Sequence, residues 1–413
     1  MAAIRLFPVL PLGWPQAVLA AGLAALCLAA PARAQDPHPL EALLAHMPPA
    51  EVSHEVQYID VAGLRAAGAA LLLQRPGPEG EFAALHRGWA WPYGFQMQQL
   101  ATLLDPEEGM PSRVGFALTD IGQMLGWGDL PDVPVLVRSS AFPAAAGRLA
   151  AVLTERGFES REVGGTTVFH RFADDALSLV SRDPADPFGG HLGRAARLAF
   201  VADDILAVTP NWPSMDAVLA AEGGDAALDA DLAALIDLAV DPDQPGDLLQ
   251  FWTSDYSIPR TTVAIRELGP TGTPEQIAQW IDRHRAELDV LGLPPYGRLA
   301  IIDRQDGADM IGVLAYTFPN PAVAQFALER LDRIVEVAES RRRRQPLGEV
   351  LPYPRDGFVY EAGNGRAIAV MAFRFSPTPE DWSEANLFST PGQPSRRLYD
   401  LMITVDVLPL ILD

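Results

Sequence analysis

The sequence predicts an α+β protein of two ferredoxin-like lobes, each an antiparallel sheet with helices on one face. Three observations predict it. Short apolar runs are joined by Gly-Gly, Asp-Gly and Gly-Asn-Gly turns, the mark of β-hairpins. Amphipathic helices stand between those hairpins. The same ingredients recur in the second half of the 413 residues, which points to a distant internal duplication although no sequence repeat is evident. The expected organisation is a signal peptide at 1–34, a leader at 35–53, an N-terminal α+β domain at 54–247 and a C-terminal α+β domain at 248–413.

Residues 1–34 read as an export signal. Arg5 supplies the positive region, Ala17 to Ala30 the apolar stretch, and Ala32-Arg33-Ala34 a small-x-small cleavage site before Gln35. The alternative is an uncleaved anchor. Pro8, Pro11 and Pro15 interrupt the stretch, and its strongly apolar part is short of the ~20 residues a span needs. Leu26 before Cys27 is too large for a lipoprotein site. The expected location is therefore the periplasm or the exterior.

The elements follow in order. A leader helix precedes the strand VQYID (56–60) and the helix VAGLRAAGAALLL (61–73). The aromatic loop HRGWAWPYGF (86–95) leads into a helix over 95–104. VPVLVR (133–138) reads as a strand and 142–158 as a helix that Gly157 stops. ESREV and TTVFHR pair across Gly164-Gly165, and RLAFVADDILAVT (197–209) turns at Asp203-Asp204. Helices follow over 213–221 and 226–238, and DPDQPGD (241–247) has the composition of a linker. Thr273-Pro274-Glu275-Gln276 opens a helix with a capping box. Strands over 298–304 and 310–317 turn at Asp306-Gly307. Asn320-Pro321 starts a helix reaching about Ser340, strands over 357–360 and 366–375 turn at Gly363-Asn364-Gly365, and a helical stretch closes the chain over 398–412.

Composition excludes several chemistries. The formal charge of −22 disfavours nucleic acid, whose phosphates it repels. All 31 basic residues are arginine, which removes Schiff-base, pyridoxal-phosphate and P-loop lysines. The one cysteine, Cys27, lies in the expected signal, so no disulfide or thiolate ligand is expected beyond it. No cofactor is implied.

The run from Asp120 to Leu238 resembles a class of exported bacterial proteins of unknown function. The matching stretches are GGTTVFH (164–170), SRDPADPFGGHLGR (181–194), FVADDILAVTPNWPSMDAVLAA (200–221) and DAALDADLAALIDLA (225–239), together with PSRRLYDLMITVDVLPLIL (394–412). The resemblance implies a fold and carries no catalytic residues.

Each candidate site has a plain structural alternative. Trp89, Trp91, Tyr93 and Phe95 form the first choice for a ligand-binding surface, the alternative being a loop that packs over a core edge. Asp183, Asp186 and His191, with His170 near, are the best hydrolase candidates, against an ordinary Asp-Pro turn. Asp303, Asp306 and Asp309 surround a hairpin tip where calcium would fit, against a solvated Asp-Gly turn. His38, His46 and His54 recur every eight residues, but proline breaks any common helical face, and no metal site is assigned. His284 falls on the inner face of its helix. Arg341, Arg342, Arg343 and Arg344 would dock an acidic partner or anionic lipid, or else complement the dipole of the preceding helix.

The functional expectation is an exported binding or interaction protein, its partner a small ligand or an envelope protein. A carboxylate hydrolase and a structural or assembly partner of the envelope are the alternatives.

Overall fold

The structure is a computed structural model that describes residues 37–48, 55–67, 85, 87–92, 103, 109–128, 133–174, 176–182, 193–221, 228–255, 268, 273–378 and 393–410. Its frame is one sheet of twelve strands in the order β13-β14-β10-β9-β8-β1-β2-β3-β7-β6-β5-β4. The N-terminal half supplies β1 (Glu55–Asp60), β2 (Gln123–Trp127), β3 (Val135–Arg138), β4 (Glu159–Val163), β5 (Thr166–Arg171), β6 (Ala196–Ala202) and β7 (Ile205–Thr209). The C-terminal half supplies β8 (Asp247–Ser254), β9 (Leu299–Asp306), β10 (Asp309–Phe318), β13 (Arg355–Glu361) and β14 (Ala367–Phe375). A separate two-stranded ribbon pairs β11 (Glu339–Ser340) with β12 (Gln345–Pro346).

The turns form where the residues demand them. Gly164 and Gly165 have φ of +59° and +88°, the left-handed pair that a tight hairpin between β4 and β5 needs. Gly157, at φ +79°, turns the chain out of its helix toward β4.

Two helices start on the expected signals, at Thr273 and Asn320, and the helix expected from 226 starts at Ala230. In chain order the helices are α1 (Pro39–Leu44), α2 (Val61–Ala67), α3 (Met110–Val114), α4 (Phe142–Glu155), α5 (Trp212–Ala220), α6 (Ala230–Val240), α7 (Pro274–Leu291), α8 (Pro321–Val337), α9 (Leu347–Val350) and α10 (Pro394–Ile403). Asn211, Asp229 and Asn320 cap α5, α6 and α8 by accepting from Ser214 N, Leu232 N and Val323 N. Thr273 and Gln276 close the capping box of α7 reciprocally, at 2.8 and 3.3 Å.

The α+β class holds, and three finer expectations change. The two lobes share one sheet, because β1 pairs antiparallel with β8 (Tyr58 opposite Phe251) and neither strand is left as an edge. Ferredoxin-like lobes are not shown: a split βαβ places a third strand between the two strands that flank its helix, whereas β1 and β2, on either side of α2 in the chain, are direct antiparallel neighbours. Helices cover both faces of the sheet instead of one.

The burial pattern explains that last change. One face buries Ile59, Met124, Val137 and Leu206 under α2, α3 and α4, and Ile301, Leu314, Tyr316 and Phe373 under α7, α8 and α10. The opposite face buries Tyr58, Leu125, Phe251, Ile302 and Ile368 under α1, α5 and α6. Central strands covered on both sides carry apolar residues at nearly every position.

The halves follow one path. The first runs β1, α2, β2, β3, α4, β6, β7, and the second runs β8, α7, β9, β10, α8, β13, β14. In the sheet β1-β2-β3-β7-β6 and β8-β9-β10-β14-β13 extend in opposite directions from the β1–β8 seam. The second half begins with β8. The linker-like DPDQPGD segment is the turn that enters β8.

Candidate functional site

Of the aromatic segment, Trp89, Ala90 and Trp91 lie inside the protein. Trp89 and Trp91 are 9% and 7% exposed and belong to different apolar clusters, Trp89 to that of the C-terminal half and Trp91 to that of the N-terminal half. The Trp89 ring is 4.9 Å from Tyr399, which stands 5.4 Å from Trp252. Burial pushes the Tyr399 phenol up to about 12, so it stays protonated. A Cβ at Gly88 would stand 2.2 Å from Trp91 Nε1, so close packing demands glycine there. Tyr93 and Phe95 lie outside the described residues, as do Asp183, Asp186, His191 and His54.

Beneath this segment is a buried polar network. Asp303, fully buried, accepts from Arg87 Nη2 at 3.1 Å, Gln250 Nε2 at 2.7 Å and Gln393 Nε2 at 2.9 Å. Arg87 also donates to Gln305 Oε1. Gln250 Oε1 accepts from the backbone of Trp89 at 2.7 Å and of Ala90 at 3.2 Å. A buried charge persists only when paired and hydrogen-bonded, and Asp303 meets both conditions. The network therefore fastens a segment of the first half onto strands of the second.

The remaining aspartates of the expected calcium cluster look elsewhere. Asp306 and Asp309 pair with Arg374 at 3.1 and 2.7 Å. Ser376 and Arg374 hold the Asp309 carboxyl below its ordinary value. Among the described residues no group of three or more His, Cys, Asp or Glu could hold a metal ion. His284 stacks on buried Trp280 at 4.1 Å, with Nδ1 2.8 Å from the Trp280 carbonyl. His46 is partly buried, which lowers its pKa.

An open groove of about 550 Å³ lies at the β4–β5 end of the sheet, lined by Arg156, Gly157, Glu159, His170, Arg171, Phe172 and Ser181. Arg156 comes from the end of α4, His170 and Arg171 from the end of β5. The Arg171 guanidinium sits 4.7 Å above the Phe158 ring and 4.9 Å from that of Phe172. His170 packs against Trp212 at 5.2 Å and lies 4.0 Å from the exposed Glu159 carboxylate.

Arg197 holds the groove wall in place. It is 1% exposed, pairs with Asp174 at 2.5 Å and donates to the carbonyls of Arg171 and Phe172. Phe172 adopts φ +65°, unusual for a bulky residue, and this strained position adjoins the groove. Sequence reasoning found His170 as a candidate base but missed Arg156 and Arg171. The available signal was the run Phe169-His170-Arg171-Phe172 opposite Arg156-Gly157-Phe158.

Arg341 to Arg344 occupy the tip of the β11–β12 ribbon and are exposed. The preceding helix ends at Val337 with no basic residue in its last turn, so these arginines do not complement its dipole.

No protein-family model matches the chain, and no curated protein matches it significantly. Among solved structures, crystal form I of TP0453 is 9% identical over 89% of this chain and 98% of that one, with a TM-score of 0.36. Crystal form III is 9% identical over 80% and 94%, and form IV 10% identical over 78% and 92%, both with TM-scores of 0.33. Likeness at these scores carries no argument about fold or function.

Proposed function

We propose that the chain is an exported binding protein, acting without a cofactor, that holds an anionic small ligand in the groove beside β5. The observation that carries this reading is the lining itself. Arg156, Arg171 and His170 line the groove with one carboxylate, Glu159, on a chain of net charge −22, and Arg156 also donates to the Arg113 carbonyl. Arginine offers paired donors that match carboxylate and phosphate oxygens, and the Phe158 and Phe172 rings limit where Arg171 can move. Export rests on the sequence of residues 1–34. The finer architectural reading goes with this proposal: the halves descend from one duplicated unit, and the groove lies where the first departs from that unit.

Thermal unfolding of the full chain against phosphate, citrate, acidic amino acids and sugar phosphates tests it. A ligand at a hundred times its dissociation constant adds about 2.7 kcal/mol of stability. The expected result is a shift with at least one anion that Arg171→Gln abolishes. A shift that survives Arg171→Gln, or none with any anion, rejects the groove.

A second reading, an assembly partner of the envelope, has its own support. Leu177, Leu179 and Val180 are 59%, 65% and 99% exposed in the segment that ends at the groove residue Ser181. If this reading holds, Leu179→Ser with Val180→Ser separates the chain from the envelope protein with which it co-purifies and leaves anion shifts unchanged.

A further inference from the structure

The exposed side of α8 carries a stripe that no internal contact requires. Phe326, Arg330, Arg333 and Val337 follow at spacings of four, three and four residues, which places them along one line of the helix. Phe326 and Val337 are 46% and 51% exposed, and the Arg330 guanidinium lies 5.0 Å from the Phe326 ring. The stripe runs directly into the turn Arg341–Arg344. Ile403, 47% exposed, ends α10 three residues before Asp406, which anchors that turn.

The turn is built to hold its arginines outward. Buried Asp406 accepts from Ser340 Oγ and from the Arg342 backbone N–H, both at 2.7 Å, and its carbonyl accepts from Arg341 N at 3.2 Å. Ser340 Oγ accepts from Arg343 N at 3.0 Å, and Arg344 N donates to the Ser340 carbonyl at 2.7 Å. The backbone is thus fixed by a carboxylate spent on amides and a hydroxyl, while Arg342, Arg343 and Arg344 are exposed. Among the described residues no carboxylate lies within ion-pair distance of Arg342, Arg343 or Arg344. Asp400 on α10 stands close enough to feel the charges of Arg343 and Arg342. Asp332 and Glu336 are already engaged by Arg355 at 2.8 and 3.7 Å.

We propose that this face, from Phe326 to Arg344, docks the protein on the surface of an anionic lipid bilayer. Clustered arginines with exposed apolar side chains between them fit such a surface: guanidinium groups meet lipid phosphates while Phe326 and Val337 enter the interface. The fixed turn loses little conformational freedom on docking. No helix among the described residues is long and apolar enough to cross a membrane.

Flotation of the full chain with vesicles tests the proposal, using phosphatidylcholine alone and phosphatidylcholine mixed with phosphatidylglycerol. Residues 1–38 are common to all variants, so differences between variants read this face. The expected result is binding that needs phosphatidylglycerol and is lost at 1 M salt, where charges are screened within about 3 Å. Arg342→Gln with Arg343→Gln should weaken it about 25-fold, at about five-fold per charge. Arg342→Lys with Arg343→Lys should restore it, which separates charge from damage to the turn. Equal flotation of the wild type and the glutamine variant overturns the proposal, as does equal flotation with neutral vesicles. Capture of an acidic protein or of a second copy through these arginines, without vesicle binding, also overturns it.

Discussion

The two halves take the same path through the sheet and diverge most at the same station, just after the long helix. In the first half the chain leaves α4 at Glu155 and builds the β4–β5 hairpin and the loop pinned by Arg197 before returning as β6. In the second it leaves α8 at Val337 and builds the β11–β12 ribbon and the short helix α9 before returning as β13. One insertion lengthens the sheet and makes a cationic groove. The other stays off the sheet and presents a cationic tip. The central strands of the shared path are buried on both faces and cannot change without loss of packing, whereas the segment after the helix is free to vary. The difference teaches where to look for function in two halves that follow one path: at the places where the paths disagree.

The strongest break of this picture is Asp303→Ala. It leaves Arg87 buried without its partner and should cost about 3–5 kcal/mol. Because Asp303 ties the 87–90 segment of one half to strands of the other, chemical denaturation should still show one transition. Two separated transitions would mean that the halves unfold independently.

Matched core deletions come next. Leu149 in α4 and Leu331 in α8 are both buried beneath equivalent helices. Leu149→Ala and Leu331→Ala should each cost about 2–5 kcal/mol by urea denaturation. If one costs nothing, the equivalence of the two helices fails.

Capping is where the helices differ. Asn320 caps α8, whereas Ala141 gives α4 no side-chain cap. Asn320→Ala should cost about 1 kcal/mol, and Ala141→Gly much less, in the same assay.

The smallest effect is Arg374→Gln at the β9–β10 tip. The Arg374, Asp306 and Asp309 side chains are 42%, 46% and 27% exposed, so solvent screens the pairs and the loss should stay below about 1 kcal/mol. The Asp309 carboxyl titrates below its usual 3.8, held there by Ser376 and Arg374. Its contribution is therefore present above that value and lost as pH falls through the depressed one. The difference between variant and wild type should shrink to nothing in strong acid, and a difference that grows there would contradict the assignment.

Much of this frame can be read in the sequence because local chemistry states it. Gly164-Gly165, Asp203-Asp204 and Asp306-Gly307 turn where expected, and Thr273 and Asn320 start the helices they announce. Pairing between distant strands has no local mark, so the β1–β8 seam was invisible. β2 shows no alternation because four of its five residues are buried. A turn entering a central strand uses the same Pro, Gly and Asp as a linker, which is why DPDQPGD suggested one. The Trp89–Trp91 segment has the same composition whether it faces a ligand or a core, and only the Gly88 approach to Trp91 distinguishes the two. The groove joins a helix end to a strand end, so Arg156 and Arg171 meet through tertiary packing alone.

The most direct test of the groove is imidazole resonance in the full chain, which has seven histidines, during titration with the anion that gives the largest thermal shift. The His170 signal, assigned by its absence from His170→Gln, should move with ligand while the His46 and His284 signals stay still. Movement at other histidines with His170 unchanged would place the ligand elsewhere and contradict the account.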